Sequence, residues 1–202
     1  NSDPETMPEE PSGFGKARVP GFSQENGVLY NYDKTELVLY GDGNENTSFS
    51  VPDGVTAIWS LAFCGSVYLE NIYVPDTVNF IGSTAFGGCE KLSEVRLPNG
   101  LKEISAGLFS GSLIREIRIP DGVTKISENA FEYCDNLESI YIPGSVKIVE
   151  KNAFYECPSL KNVYCGLLSK DRLGIEIEEQ GNETVKNANY VFKFQIQTLG
   201  SN

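Results

Sequence analysis

The sequence predicts a β-rich solenoid with short helical turns: five coils of 22–23 residues, a hairpin cap before them and a strand cap after them. Three observations carry this. Pro52, Pro75, Pro98, Pro120 and Pro143 follow one another at steps of 23, 23, 22 and 23 residues. Each is followed eleven residues later by a phenylalanine: Phe63, Phe86, Phe109, Phe131 and Phe154. Apolar pairs then recur in phase, as Val55/Ile58, Val78/Ile81, Leu101/Ile104, Val123/Ile126 and Val146/Val149. Self-similarity at this period marks stacked units, none of which can bury its apolar side alone.

The coil from Ile119 to Tyr141 is the cleanest copy. Pro120-Asp121-Gly122 carries turn chemistry, since proline presets φ and glycine supplies a positive one. Val123 and Ile126 point inward. Ser127 to Phe131 reads as a short helical turn with Ser127 at its N-cap, and Phe131 plugs the interior. Leu137, Ile140 and Ile142 then form a strand with alternating apolar residues, matched by Leu69/Ile72, Leu92/Val95, Ile114/Ile117 and Leu160/Val163. The coil beginning at Pro98 is one residue short, and the deletion falls most simply in its Ser110-Gly111-Ser112 loop.

Stacked strands leave open edges, so caps are expected. Residues 14–50 form the first, with a hairpin through Gly27 to Tyr40 turning at Asp33-Lys34. Residues 51–166 are the solenoid proper. Residues 167–202 form the second cap, where Tyr190, Phe192, Phe194 and Ile196 alternate with Val191, Lys193, Gln195 and Gln197. Residues 1–13 are acidic and proline-rich and read as a disordered tether. Trp59 and Phe80 sit beside inward positions; they mark either a surface patch or a contact with the first cap, and the cap is the favoured reading.

A net charge of −12, with 28 acids against 16 bases, disfavours nucleic acid and anionic membrane surfaces, both of which demand basic patches. No apolar run approaches the ~18 residues of a membrane helix, so no direct membrane insertion is expected. There is no histidine, so no serine or cysteine nucleophile has a histidine base. No glycine-rich phosphate loop is present, and no cofactor is called for.

Cys89, Cys134 and Cys157 each lie fourteen residues after a proline and share one column. Metal ligation lacks a CxxC pair or a histidine. A disulfide between Cys134 and Cys157 is the other functional reading. The expected state is a buried free thiol, a small apolar filler of the repeat core. Cys64 and Cys165 are out of phase with the column.

The pattern I-P-D-G-V-x-x-I-x-x-x-A-F-x-x-C-x-x-L-x-x-I-x resembles the BspA-type leucine-rich repeat. The hairpin G-V-L-Y-x-x-D-x-T-x-L-V-x-Y also resembles the unit that often precedes such repeats. The match runs from about Gly27 to Gly166. Ser66 and Ser112 depart from it at the cysteine column, and the tail after Gly166 matches no known pattern. The resemblance implies a right-handed solenoid with a concave strand face and a non-catalytic adhesin or recognition role. It implies a secreted or cell-surface location in bacteria or protozoa, with a lipid anchor on a removed N-terminal segment as one means of attachment.

Outward strand residues supply the candidate site. One column reads Tyr73, Arg96, Arg118, Tyr141 and Tyr164; the column two residues earlier includes Glu94 and Glu116. Tyrosine and arginine are enriched at binding hot spots. They are also good strand residues, and Glu94/Arg96 and Glu116/Arg118 are expected as ion pairs. Glu94 and Glu116 at about 5 Å would match the spacing of a retaining glycosidase pair. Solvated beside arginines, they lack the burial that raises a catalytic carboxyl's pKa. Asp53, Asp76 and Asp121 are explained by turn chemistry rather than calcium. The expected function is recognition of a host or bacterial surface protein or glycan by a monomer. A structural spacer is the alternative, and a hydrolase the weaker third.

Overall fold

The structure, a computed structural model, describes residues 21–41, 43–166 and 174–192. The expected tether, and the expected cap-strand residues from Lys193 onward, lie outside these. The strands are β1 (Phe22–Glu25), β2 (Val28–Asn31), β3 (Glu36–Tyr40), β4 (Ser48–Ser50), β5 (Ala57–Ile58), β6 (Asn71–Tyr73), β7 (Phe80–Ile81), β8 (Glu94–Arg96) and β9 (Glu103–Ile104). They continue as β10 (Glu116–Arg118), β11 (Lys125–Ile126), β12 (Ser139–Ile142), β13 (Ile148–Val149), β14 (Asn162–Cys165), β15 (Glu176–Ile177) and β16 (Asn189–Phe192), with α1 (Glu183–Asn187) before the last.

Two sets of parallel ladders run the length of the stack. The strands closing each coil pair as β4-β6-β8 and β10-β12-β14-β16. The short strands after each proline turn pair as β3-β5-β7 and β9-β11-β13-β15. Register preserves the repeat phase: Ile117 opposes Ile140, Ile140 opposes Val163, and Val163 opposes Tyr190. The solenoid expectation is therefore met.

The third wall differs in form from the expected short helical turns. The N–H groups of Ala130, Glu132 and Cys134 donate to the carbonyls three residues back, at Ser127, Asn129 and Phe131. Those of Asn129, Phe131 and Tyr133 donate instead to Lys151, Ala153 and Tyr155 of the next coil. Alternate residues thus bond within and between coils, giving consecutive β-turns. This requires left-handed backbone at two phases. Leu61, Thr84, Gly107, Asn129 and Asn152 occupy one; Gly65, Gly88, Gly111, Tyr133 and Glu156 occupy the other. A helix cannot pass through such residues. Gly107 belongs there, because a Cβ would lie 2.9 Å from Thr84 Oγ1. Ser127 caps no helix; its hydroxyl donates to Glu103 Oε1 at 2.9 Å.

The five phenylalanines form one column through the core. Successive ring centroids from Phe63 to Phe154 lie 5.3, 5.6, 5.4 and 5.3 Å apart, and all five rings are fully buried. The cysteine column beside them has a defined job. Cys89, Cys134 and Cys157 donate their S–H to the carbonyls of Phe63, Phe109 and Phe131 in the preceding coil, at 3.1, 3.2 and 3.0 Å. Burial pushes the thiols of Cys89 up to about 12 and of Cys134 and Cys165 up to about 11, with Cys157 raised as well. All five cysteines are free, and Cys64 is the exposed one. Native protein is expected to expose one fast-reacting thiol, Cys64, with the other four labelled only on unfolding. Rapid native labelling of Cys134, or thiols missing from unreduced protein, would contradict this.

At the front, the expected hairpin is present as β2 and β3. An additional strand, β1, precedes it and pairs antiparallel with β2 through a turn at Asn26-Gly27, both with positive φ. Asn-Gly is the strongest short hairpin signal. Trp59 meets the cap as expected: its ring sits edge-on to Phe22 at 6.2 Å, and its Nε1 donates to Glu36 Oε2 at 2.8 Å. Phe80 does not; it pairs beside Ala57 and stays exposed.

At the back, residues 174–192 make a further, degenerate turn of the solenoid. β15 pairs with β13 and β16 with β14, and Val185 of α1 is buried. Asn182 ties this turn to the fifth coil. It is fully buried, accepts from the Phe154 N–H at 3.1 Å, and donates to the Glu150 and Glu178 carbonyls at 2.8 Å each.

Among the described residues, both ladder sets are interrupted at one place, between the second and third coils. β7 and β9 lie in separate ladders, and so do β8 and β10. The missing residue of the third coil lies between these two closing strands. The turn wall stays bonded there, through Thr84 to Ala106, Phe86 to Leu108 and Gly88 to Ser110. Side chains bridge the rest. Ser105 Oγ donates to the Ile81 carbonyl, and Asp76 accepts from the Asn99 N–H at 3.0 Å.

Candidate binding face

The closing strands bring the predicted column together in register. Tyr73 opposes Arg96, and Arg118 opposes Tyr141, which opposes Tyr164. The ladder interruption falls between Arg96 and Arg118, so the column forms two clusters rather than one unbroken ladder.

In the first cluster, Arg96 stacks over the Tyr73 ring at 5.3 Å and donates to the Tyr73 hydroxyl at 2.8 Å. Its other nitrogen reaches Asp76 Oδ2 at 3.2 Å. The Asn99 backbone N–H is the main group holding the Asp76 carboxyl below the usual range, with Arg96 adding to it. In the second cluster, Arg118 lies over the Tyr141 ring at 3.7 Å, and its guanidinium is 3.6 Å from Asp121. Both arginines are therefore presented against a tyrosine ring and a turn aspartate.

This corrects one expectation. The arginines pair with turn aspartates Asp76 and Asp121, not with strand residues Glu94 and Glu116. Side chains two apart on one strand share a face, but each guanidinium here reaches along the strand toward the proline turn. Glu94 and Glu116 are exposed, on strands of separate ladders. An ion pair does form at the residues just before β10 and β12, between Arg115 and Glu138 at 2.7 Å. The Arg115 guanidinium lowers the Glu138 carboxyl.

Sequence reasoning missed Asp76, Asn99 and Asp121 as partners of the face, having assigned the aspartates wholly to turns. It also missed a hollow of about 350 Å³ at the front cap, lined by residues that include Asn26, Gly41, Asn44, Glu45 and Asn46. Its polar groups serve the loop itself, as where Asn44 Oδ1 accepts from the Asn46 N–H and side-chain amide. Among the described residues, no three Cys, Asp or Glu side chains converge as a metal site. No helix among them is long and apolar enough to cross a membrane.

Residues 42–169 match the family model for the BspA type leucine rich repeat region, in six copies. The chain belongs to the BspA-type leucine-rich repeat family. Among solved structures, it is similar to a leucine rich cell surface protein from Faecalibacterium prausnitzii, at 30% identity and a TM-score of 0.75, covering 80% of this chain and 44% of that one. It shares the fold of the pneumococcal vaccine antigen PcpA, at 22% identity and a TM-score of 0.68, covering 86% of this chain and 48% of that one. It also shares the fold of a leucine rich repeat protein from T. pallidum, at 23% identity and a TM-score of 0.59, covering 91% and 95%. The chain thus spans about half the length of the first two. A comparison with the curated proteins found no match. The family match and the shared fold identify a leucine-rich-repeat module.

Proposed function

We propose that this BspA-type chain is a recognition module of an extracellular or cell-surface protein, which grips a protein or glycan through its closing-strand face. The observation that carries this reading is the Arg118–Tyr141 stack at 3.7 Å, steadied by Asp121. Arginine and tyrosine supply large contact area, and side chains already held in place lose little entropy on binding. A spacer role would not need such pre-arranged groups on an exposed face. The strand face is also broad and shallow, which suits a macromolecule better than an enclosed small substrate.

An array of host-matrix proteins and glycans would supply the ligand. Replacing Arg118 and Tyr141 together by alanine is expected to weaken capture by at least about 2 kcal/mol, roughly 30-fold. Arg118 is exposed and Tyr141 half-buried, so melting curves of the variant separate lost capture from any lost stability. Because the two side chains touch, each single variant should already show most of this loss. Unchanged affinity in the double variant would move the site to another face or to the caps.

A further inference from the structure

We propose that the C-terminal half of the strand face takes an uncharged oligosaccharide, with Tyr164 as the ring platform and Asn162 and Asn189 as the amides that read its hydroxyls. This rests on the strand-face reading above and names the chemistry of its ligand.

The argument starts from a change in character along the stack. In the strand column that holds Glu94 and Glu116, the next three coils carry Ser139, Asn162 and Asn189, matched in register. The turn column changes in the same direction. Asp53, Asp76, Asn99 and Asp121 give way to Gly144, and Gly166 stands where the other coils carry proline. Both columns flanking Tyr141 and Tyr164 therefore lose their carboxylates together. In a chain of net charge −12, a neutral polar strip beside two tyrosines is a local exception.

The geometry of the strip fits a sugar chain. Tyr141 and Tyr164 are half-buried, so each ring is held by its surroundings and keeps an open part. The Tyr141 hydroxyl lies close over Gly166, where a Cβ would come within 2.7 Å of it, so glycine there leaves a low floor beside the ring. Arg118 covers the Tyr141 ring, which leaves Tyr164 as the better stacking surface. Asn189 Nδ2 donates to Asn162 Oδ1 at 3.2 Å. The pair is oriented by that bond, and the Asn162 amide donors and the Asn189 carbonyl oxygen remain for a ligand. A pyranose offers an apolar C–H face to an aromatic ring and a rim of hydroxyls that both donate and accept, which is what a side-chain amide matches. A polyanion fits poorly. Arg118 is engaged by Tyr141 and Asp121, and among the described residues the strip has no other cation in its two columns.

The test is titration of the protein with short, uncharged β-glucan, mannan and xylan oligosaccharides, with heparin and alginate oligosaccharides as charged counterparts. Binding of at least one neutral oligosaccharide is expected, with little dependence on salt. Tyr164→Ala should weaken it about tenfold and Asn162→Ala several-fold, while Tyr164→Phe, which keeps the ring, should retain most of it. Tyr32→Ala, in the exposed turn of the front-cap hairpin and outside the closing strands, should leave it unchanged. Melting curves of each variant separate lost binding from lost folding. The inference is overturned if none of the neutral oligosaccharides binds, if the charged ones bind better, or if Tyr164→Ala leaves affinity intact. A protein ligand lost in the Arg118/Tyr141 double variant would keep the strand-face reading and remove the sugar assignment.

Discussion

Replacing Phe131 by alanine is expected to cost about 3–5 kcal/mol of folding stability, the range for a buried phenylalanine. The ring is fully buried, with Phe109 stacked on one side at 5.4 Å and Phe154 on the other at 5.3 Å. Truncation would remove both stacking contacts and open a void in mid-column. The turn wall leaves it little chance to collapse, because the Phe131 N–H is tied to Ala153 and its carbonyl accepts from the Cys134 N–H and the Cys157 thiol. In a solenoid, stability is nearly a sum over coils and nearest-neighbour interfaces, so the loss falls on two interfaces at once. Urea unfolding followed by circular dichroism measures it. A loss below about 1 kcal/mol would show that the phenylalanine column is not the core.

Asn182→Ala should be the most damaging change outside the regular coils, at about 2–4 kcal/mol. At the fifth coil the Asn182 side chain takes the place of the backbone carbonyl that the Phe131 N–H bonds one coil earlier. Its amide accepts from the Phe154 N–H and donates to the carbonyls of Glu150 and Glu178. A buried donor left without a partner costs about 1–3 kcal/mol, and the two carbonyls add to that. Asn182→Asp should not rescue it, since the two donors are lost and a charge would be buried. Hydrogen exchange at the Phe154 amide should accelerate well before global unfolding. A variant with unchanged stability and unchanged exchange there would mean that the last turn is held by its apolar contacts alone.

Much of the fold was legible because a solenoid repeats its local code. The prolines and phenylalanines each mark one structural phase, and five copies average out the noise of a single one. The missing residue of the third coil was legible too, but the interruption of both ladder sets beside that coil was not. A deletion is local in sequence, whereas ladder pairing is a property of neighbouring coils. The run from Ser127 to Phe131 looks helical by composition. Inter-coil bonds to Lys151, Ala153 and Tyr155 decide otherwise, and they exist only once the coils are stacked. Strand β1 could have been found, since Asn26-Gly27 is a hairpin signal set between two short runs that pair as strands. In the candidate site, the column Tyr73, Arg96, Arg118, Tyr141, Tyr164 came from period and alternation alone. The choice of Asp76 and Asp121 over Glu94 and Glu116 as arginine partners depended on where each guanidinium points.

By itself, the sequence determined the repeat, its phase, the buried columns and which residues share the strand face. Those follow from periodicity, which the chain carries residue by residue. The tertiary structure alone decided what the polar groups do. It turned the third wall into β-turns, set cysteine thiols on phenylalanine carbonyls, recruited Asn182 to finish the last coil, and split the tyrosine–arginine column in two. The physical reason is that hydrogen bonds and ion pairs are short-ranged and directional, so their partners are fixed by which coil lies 4–5 Å away, about one strand spacing. Apolar burial has no such direction, and so it could be read from pattern.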